Sequence, residues 1–238
     1  MKAVIFDIDN TLYDYDRAHA AAYRALSDLA CGLFGMTENA FDDLHDLANR
    51  KLAEHTGGFC AATHNRLIRY QLMLEETGRP ISYAKRMSDH YWSTLLDNMT
   101  ISPGARETLE RLREMGCVVG IGTDMTCERQ FDKLERLELI GYIDFLVSSE
   151  EAGIEKPAKR MFDLCAKKAK CDPGECLFVG DDPKKDVLGA CRAGMRAAWY
   201  RRPGKAEIML PSGAFCISHL TELPGLLSSL PGKGTMPS

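Results

Sequence analysis

The 238-residue chain has no run of about 18 consecutive apolar residues, the length a membrane-spanning helix needs. Its nine cysteines include no CxxC pair and no close spacing that would mark a disulfide framework or a thiolate metal site. It also has no excess of positive charge, since 30 Lys and Arg face 34 Asp and Glu for a net charge of −4. A nucleic-acid or anionic-membrane binder needs a positive surface to neutralise phosphate, so neither is an expected partner. The opening MKAVIFDIDNTL is broken by two Asp almost at once, so it is not expected to be a signal peptide. Without an export signal, the odd number of cysteines is expected to be reduced, and the location cytoplasmic. What is present is ordinary: 45% hydrophobic and 27% charged residues exclude global disorder. The length suits one core carrying a smaller insertion.

Three segments differ in rhythm. Residues 2–8 (KAVIFDI) form a short β-rich run. From 15 to about 98 only helical periodicity is visible: Ala18, Ala22, Leu26, Leu29 and Leu33, then Phe41, Leu44 and Leu47, then Leu67, Leu72 and Leu74. Gly35, Gly57-Gly58 and Gly78-Arg79-Pro80 divide this stretch into about four helices. From 99 onward helix and strand alternate. Strands are expected at 117–122, 144–149, 176–180, 196–200 and, in the tail, 214–218. Helices are expected from Pro103, around Phe131, Leu134 and Leu137, and over 158–170, 184–193 and 221–230. The last eight residues, PGKGTMPS, read as a loose end.

Repeated β–α–β with apolar strands predicts an α/β fold, a doubly wound Rossmann-like parallel sheet covered on both faces. The helical stretch between the first strand and the rest predicts an inserted all-helical cap. The expected division is 1–14 and 99–238 for the core and 15–98 for the cap. Ligands of such sheets bind outside the carboxyl ends of the strands. At those ends stand Asp7, Asp9 and Thr11, then Thr123-Asp124, then Lys156-Pro157, then Asp181-Asp182 with Asp186 a turn later. Carboxylates gathered in one crevice repel one another unless a cation intervenes. A hard-oxygen set with few other ligands suits Mg²⁺ and a substrate phosphate.

The set Asp7-x-Asp9-x-Thr11, Thr123, Lys156-Pro157 and Gly180-Asp181-Asp182-x-x-x-Asp186 resembles the four motifs of the haloacid dehalogenase superfamily, in order and in strand-end placement. The stretches SSEEAGIEKP and GDDPKKDVLGACRAGM are similar to those of its small-molecule phosphatases, and the helical insertion is placed like one of its cap types. The likeness runs from residue 1 to about 205. It implies a Mg²⁺-dependent phosphatase of a small phosphorylated metabolite, such as a sugar phosphate or nucleoside monophosphate. Asp7 would be the nucleophile, forming an aspartyl phosphate, and Asp9 the general acid and then base. Thr123 and Lys156 would hold the phosphate oxygens. Asp7, the Asp9 backbone carbonyl and Asp181 would hold the metal, with Asp186 and, less so, Asp182 behind them. Dehalogenases of the superfamily lack an acid at the position of Asp9, because chloride leaves without a proton, so Asp9 favours phosphoester chemistry. A phosphomutase and an idle binding or regulatory protein are the alternatives. A monomer or a homodimer paired through the cap is expected.

Each motif residue also has a plain structural role: Asp7 and Asp9 as turn carboxylates, Thr123, Asp181, Asp182 and Asp186 as helix caps, Lys156 as a solvated loop charge. Four motifs in order outweigh those readings together, though Asp182 is expected to cap. Asp124, where relatives often carry Asn, is expected to make the mouth more acidic. Gly120-Ile121-Gly122 lacks the third glycine of a dinucleotide fingerprint, and Gly232-Lys233-Gly234-Thr235 lacks the strand of a phosphate loop. His55 and His64 of the helical stretch are candidates to touch substrate, with surface or core positions the stronger expectation, and Lys167, Lys168 and Lys170 are expected on a solvated face.

Overall fold

Each apolar run expected to be extended is a strand: β1 (Ala3–Phe6), β2 (Val118–Thr123), β3 (Phe145–Ser148), β4 (Cys176–Gly180), β5 (Arg196–Tyr200) and β6 (Ala214–Ile217). In the computed structural model residues 1–230 are described; the expectation for PGKGTMPS lies outside them. The strands pair in parallel in the order β3-β2-β1-β4-β5-β6. β1 is therefore central, with β2 on one side and β4 on the other. Its residues are buried on both faces, as a strand covered above and below requires.

Side chains alternate between two apolar layers, following the two-residue period of a strand. Val4 and Phe6, Val119 and Ile121, and Leu177 and Val179 face one layer. Ala3 and Ile5, and Cys176 and Phe178, face the other. Glycine serves the sheet where space is short: a Cβ on Gly122 would stand 2.7 Å from the Phe178 ring and 3.0 Å from Cys165 Sγ.

Between β1 and β2 run α1 (Tyr15–Phe34), α2 (Glu38–Thr56), α3 (Arg66–Glu76) and α4 (Tyr83–Asp97). Their ends follow the expected punctuation. Asp14 and Thr37 accept backbone N–H groups at the starts of α1 and α2, and Gly35 and Gly57 take left-handed backbone at their ends. The segment shares a continuous apolar layer with β1, through residues such as Leu26, Tyr91 and Leu95 beside Phe6 and Ile8. The inner face of α3 is only partly the expected one: Leu74 is buried and Leu72 packs on the core, but Leu67 is exposed, and Arg66, Arg69, Tyr70 and Met73 are buried instead. Arg66 can be buried because Nη2 donates to Tyr15 Oη at 3.3 Å and Tyr91 Oη at 3.1 Å, with its guanidinium 4.7 Å from the Tyr91 ring centroid.

The remaining helices are α5 (Ala105–Glu114), α6 (Cys127–Arg136), α7 (Ser149–Ala152), α8 (Lys159–Ala169), α9 (Gly189–Arg192) and α10 (Leu223–Ser229). Two differences from expectation matter. The helix expected over 184–193 is a wide π-type turn, Pro183–Leu188, leading into α9. In α6, Phe131 is 41% exposed, while Gln130, Lys133 and Leu134 point inward. Lys168 is also not free on a solvated face, since its amine donates to Leu146 O at 2.7 Å and Glu151 at 2.6 Å. Among the described residues no helix is long and apolar enough to cross a membrane.

Candidate active site

The order of strands reverses across β1, whose neighbours are β2 and β4, and this is where a crevice opens at the carboxyl ends. Asp7 follows β1 directly, and its backbone N–H donates to Val179 O at 2.9 Å, which ties the first residue past the strand to β4. Asp181 follows β4 and Asp124 follows β2. The turn at Pro183–Leu188 brings Asp186 back beneath Asp181. Gly180 makes the room, since a Cβ there would stand 2.2 Å from Asp186 Oδ2. Asp186 Oδ2 also accepts the Asp182 N–H at 3.0 Å.

Carboxylate oxygens of Asp7, Asp181 and Asp186 all lie within 4.8 Å of one another. Buried Lys156 stands between two of them, Nζ being 2.8 Å from Asp7 and 2.9 Å from Asp186. Arg202 Nε lies 3.4 Å from Asp181. Burial pushes the Asp7 carboxyl up to about 7, Lys156 pulling against it and Asp186 and Asp9 adding to it. Asp181 is likewise pushed up to about 7 by burial and by Asp7, against Arg202 and Lys156. The pocket is short of positive charge. The donor set is all hard oxygen and fits a small divalent cation.

Thr123 is buried, and its hydroxyl accepts from Gln130 Nε2 at 2.7 Å. Asp182 caps the following turn, accepting Lys184 N at 2.7 Å and Lys185 N at 3.0 Å, as its plain reading expects. Asp124 accepts Lys156 N at 2.9 Å and pairs with Lys185 at 2.9 Å. Burial alone would raise Asp124, but Lys156 and Lys185 outweigh it and hold the carboxyl below its ordinary value. Its charge is thus matched by Lys185, not left to make the mouth more acidic.

Asp7, Thr123, Asp124, Lys156, Asp181 and Asp186 line one cavity of about 710 Å³, together with Asp9, Asn10, Tyr15, His64 and Lys205. Tyr15 and His64 come from the helical segment. His64 Nε2 reaches Glu155, just before Lys156 in sequence, at 2.9 Å, and His64 is a wall residue, the less favoured of its two expected places. His55 does not line it. Asp9 is turned toward α6: Lys133 Nζ donates to its two oxygens at 2.6 and 2.9 Å, and Tyr13 Oη donates to Oδ1 at 2.6 Å. Sequence reading missed both partners. The available signal was a basic residue three positions after Gln130 and one before Leu134, on what proves to be the inner face.

A sheet of this order, with carboxylates and a buried lysine at its switch point, defines a hydrolase of a known kind. The chain belongs to the haloacid dehalogenase-like hydrolases, whose family model matches residues 1–194. It is 38% identical over 201 residues to ribulose-1,5-bisphosphate 5-phosphatase of Halopiger xanaduensis, covering 83% of this chain and 84% of that one. It is 29% identical to glyceraldehyde 3-phosphate phosphatase of Pyrococcus furiosus, over 97% and 93% of the two chains. Human N-acylneuraminate-9-phosphatase is also 29% identical, over 99% and 97%. Among solved structures, a 2-haloacid dehalogenase from Pseudomonas syringae pv. Tomato superposes with a TM-score of 0.76 at 28% identity, over 96% and 98% of the chains.

Proposed function

We propose that the protein is a Mg²⁺-dependent phosphatase of a small phosphomonoester, a sugar phosphate or nucleoside monophosphate, acting through an aspartyl phosphate on Asp7. The observation that carries this reading is the meeting of Asp7, Lys156, Asp181 and Asp186 at the β1–β4 switch point, beside Thr123 and Asp9. Relatives named as phosphatases of ribulose 1,5-bisphosphate, glyceraldehyde 3-phosphate and N-acylneuraminate 9-phosphate support the substrate class. Likeness to a dehalogenase supports it less, because Asp9 supplies an acid that chloride departure does not need.

In this reading Asp7 attacks phosphorus, and the bond to the leaving oxygen breaks as Asp9 delivers a proton to that oxygen. Asp9 then takes a proton from the water that hydrolyses the acyl phosphate. Thr123 and Lys156 hold the non-bridging oxygens, where fixed donors in a water-poor pocket stabilise developing charge. Asp7, Asp181 and the Asp9 carbonyl would hold Mg²⁺, with Asp186 beside them. The ion would supply the positive charge that lets a phosphate approach carboxylates. We read residues 15–98 as a cap on a core of 1–14 and 99–238, with Tyr15 and His64 facing the substrate from the cap.

The test is phosphate release from a panel of sugar phosphates and nucleoside monophosphates. Turnover should require Mg²⁺, stop with EDTA and return when Mg²⁺ is restored. Isomerised sugar phosphate in place of free phosphate would mean a mutase, and ligand binding without turnover an idle binding protein.

A second prediction concerns stability without metal. Asp7 and Asp181, raised to about 7 in the folded protein, ionise more readily once unfolded. The stability they contribute is full below about pH 4 and is lost as pH rises through 7. In EDTA the melting temperature should therefore fall between pH 5 and pH 8. Mg²⁺ at about 100 times its Kd should add roughly 2.7 kcal/mol at pH 8. A melting temperature at pH 8 that ignores Mg²⁺ would count against the metal site.

A further inference from the structure

Lys133 is a buried cation that the phosphatase chemistry just described does not use. It is 0% exposed, yet it is a lysine in the last turn of α6. Taking an ammonium out of water costs several kcal/mol, and a Leu or Met in its place would pack at no such cost. Its partner is Asp9, held through both oxygens at 2.6 and 2.9 Å. The tip of Lys133 lies 5.8 and 5.7 Å from the ring centroids of Tyr13 and Tyr15, a wall of aromatic faces that favours a cation. Tyr13 closes the arrangement by donating to Asp9 Oδ1 at 2.6 Å.

Gln130, three residues before Lys133 and on the same face of α6, bonds Thr123 at 2.7 Å. The inner face of one helix thus holds two cavity residues, Thr123 through Gln130 and Asp9 through Lys133. An Asp on a turn has two free side-chain torsions. Clamped at both oxygens by a fixed ammonium and at one by a fixed hydroxyl, it keeps one orientation.

We propose that Lys133, together with the Tyr13 hydroxyl, is a positioning residue for Asp9: when Asp9 carries the proton it delivers, Lys133 and Tyr13 hold one of its oxygens, so that the protonated one meets the leaving oxygen of the substrate in one geometry. The inference rests on the reading of Asp9 as general acid. It concerns groups that act through Asp9 and do not touch the substrate.

The experiment compares kcat/KM for an alkyl phosphate, whose alkoxide needs a proton to leave, with that for p-nitrophenyl phosphate, whose phenolate hardly does. Lys133→Met should lower kcat/KM on the alkyl phosphate by about 30-fold or more and on p-nitrophenyl phosphate by less than about 5-fold. Tyr13→Phe, which deletes one hydroxyl and so spares the fold, should shift the ratio in the same direction by a smaller factor. In an Asp9→Asn background neither change should lower the rate further, because groups acting through one residue are not additive. Equal falls on both substrates, or an unchanged ratio in both single variants, would overturn the proposal. Should Lys133→Met not fold, Tyr13→Phe alone decides by its ratio. If Asp9→Asn itself shows no leaving-group dependence, the general-acid reading fails instead, and the two failures are told apart.

Discussion

Asp7→Asn should leave a folded protein whose turnover of phosphomonoesters falls by about 10⁴-fold or more, a barrier increase of roughly 5 kcal/mol. The substitution keeps the volume and the hydrogen-bonding shape of the side chain. It removes the carboxylate oxygen that would bond to phosphorus, and an amide oxygen is far too poor a nucleophile to replace it. The fold should tolerate it. Asp7 is a buried carboxyl pushed up to about 7, so its charge is held at a cost, and Lys156 keeps Asp186 at 2.9 Å as a partner. The melting temperature should therefore change little while activity disappears. Acid quenching during turnover should trap phosphate on the wild-type protein as a hydroxylamine-labile acyl phosphate, and trap none on the variant. Near-normal activity in Asp7→Asn would falsify the covalent route.

Lys156→Met is expected to damage stability and activity together. Among the described residues the amine is the single cation touching both Asp7 and Asp186, at 2.8 and 2.9 Å, and it is almost fully buried. Removing one member of a buried ionic cluster strands the others, which typically costs about 3–5 kcal/mol. The loss should depend on pH. Burial already raises the carboxyls of Asp7 and Asp186, and without Lys156 they rise further. A raised carboxyl favours folding at low pH and loses that contribution as pH climbs through its folded value. The deficit in denaturant melts should thus be smaller at pH 5 than at pH 8, and Mg²⁺ should recover part of it. Activity should fall by about 10³-fold or more if Lys156 holds the phosphate as proposed, since that fixed charge is lost. A deficit that does not vary with pH would mean that Lys156 supports the fold by packing alone.

The strands and the strand-end polar groups were legible because both signals are local. β1, β2 and β4 are short apolar runs, and the polar residue that stops each run is the one the crevice receives: Asp7, then Thr123-Asp124, then Asp181. Helix faces were less legible where the inside is polar. On α6 the apolar rule selects Phe131, but the fold turns Gln130 and Lys133 inward because Thr123 and Asp9 wait there. On α3 the same rule selects Leu67, while Arg66 is buried against Tyr15 and Tyr91. In both helices the deciding partner lies far away in sequence: Asp9 is 124 residues from Lys133, and Tyr15 is 51 from Arg66. No window of a dozen residues contains that information. Asp124 is a similar case, because its neutralisation by Lys185 comes from a turn 61 residues later.

The central place of β1 bears on how the chain is made. The strand that enters the sheet between β2 and β4 is synthesised first, and about 170 residues separate it from β4. At roughly 5–20 residues per second, β4 leaves the ribosome some 10–35 s after β1. For that time AVIF, which the finished sheet buries on every side, lacks at least one of its two neighbours, and both until β2 is made. Helices α1–α4 are made in the interval and share an apolar layer with Val4 and Phe6. The segment that closes one wall of the cavity is thus also the first native surface available to shelter the nascent strand.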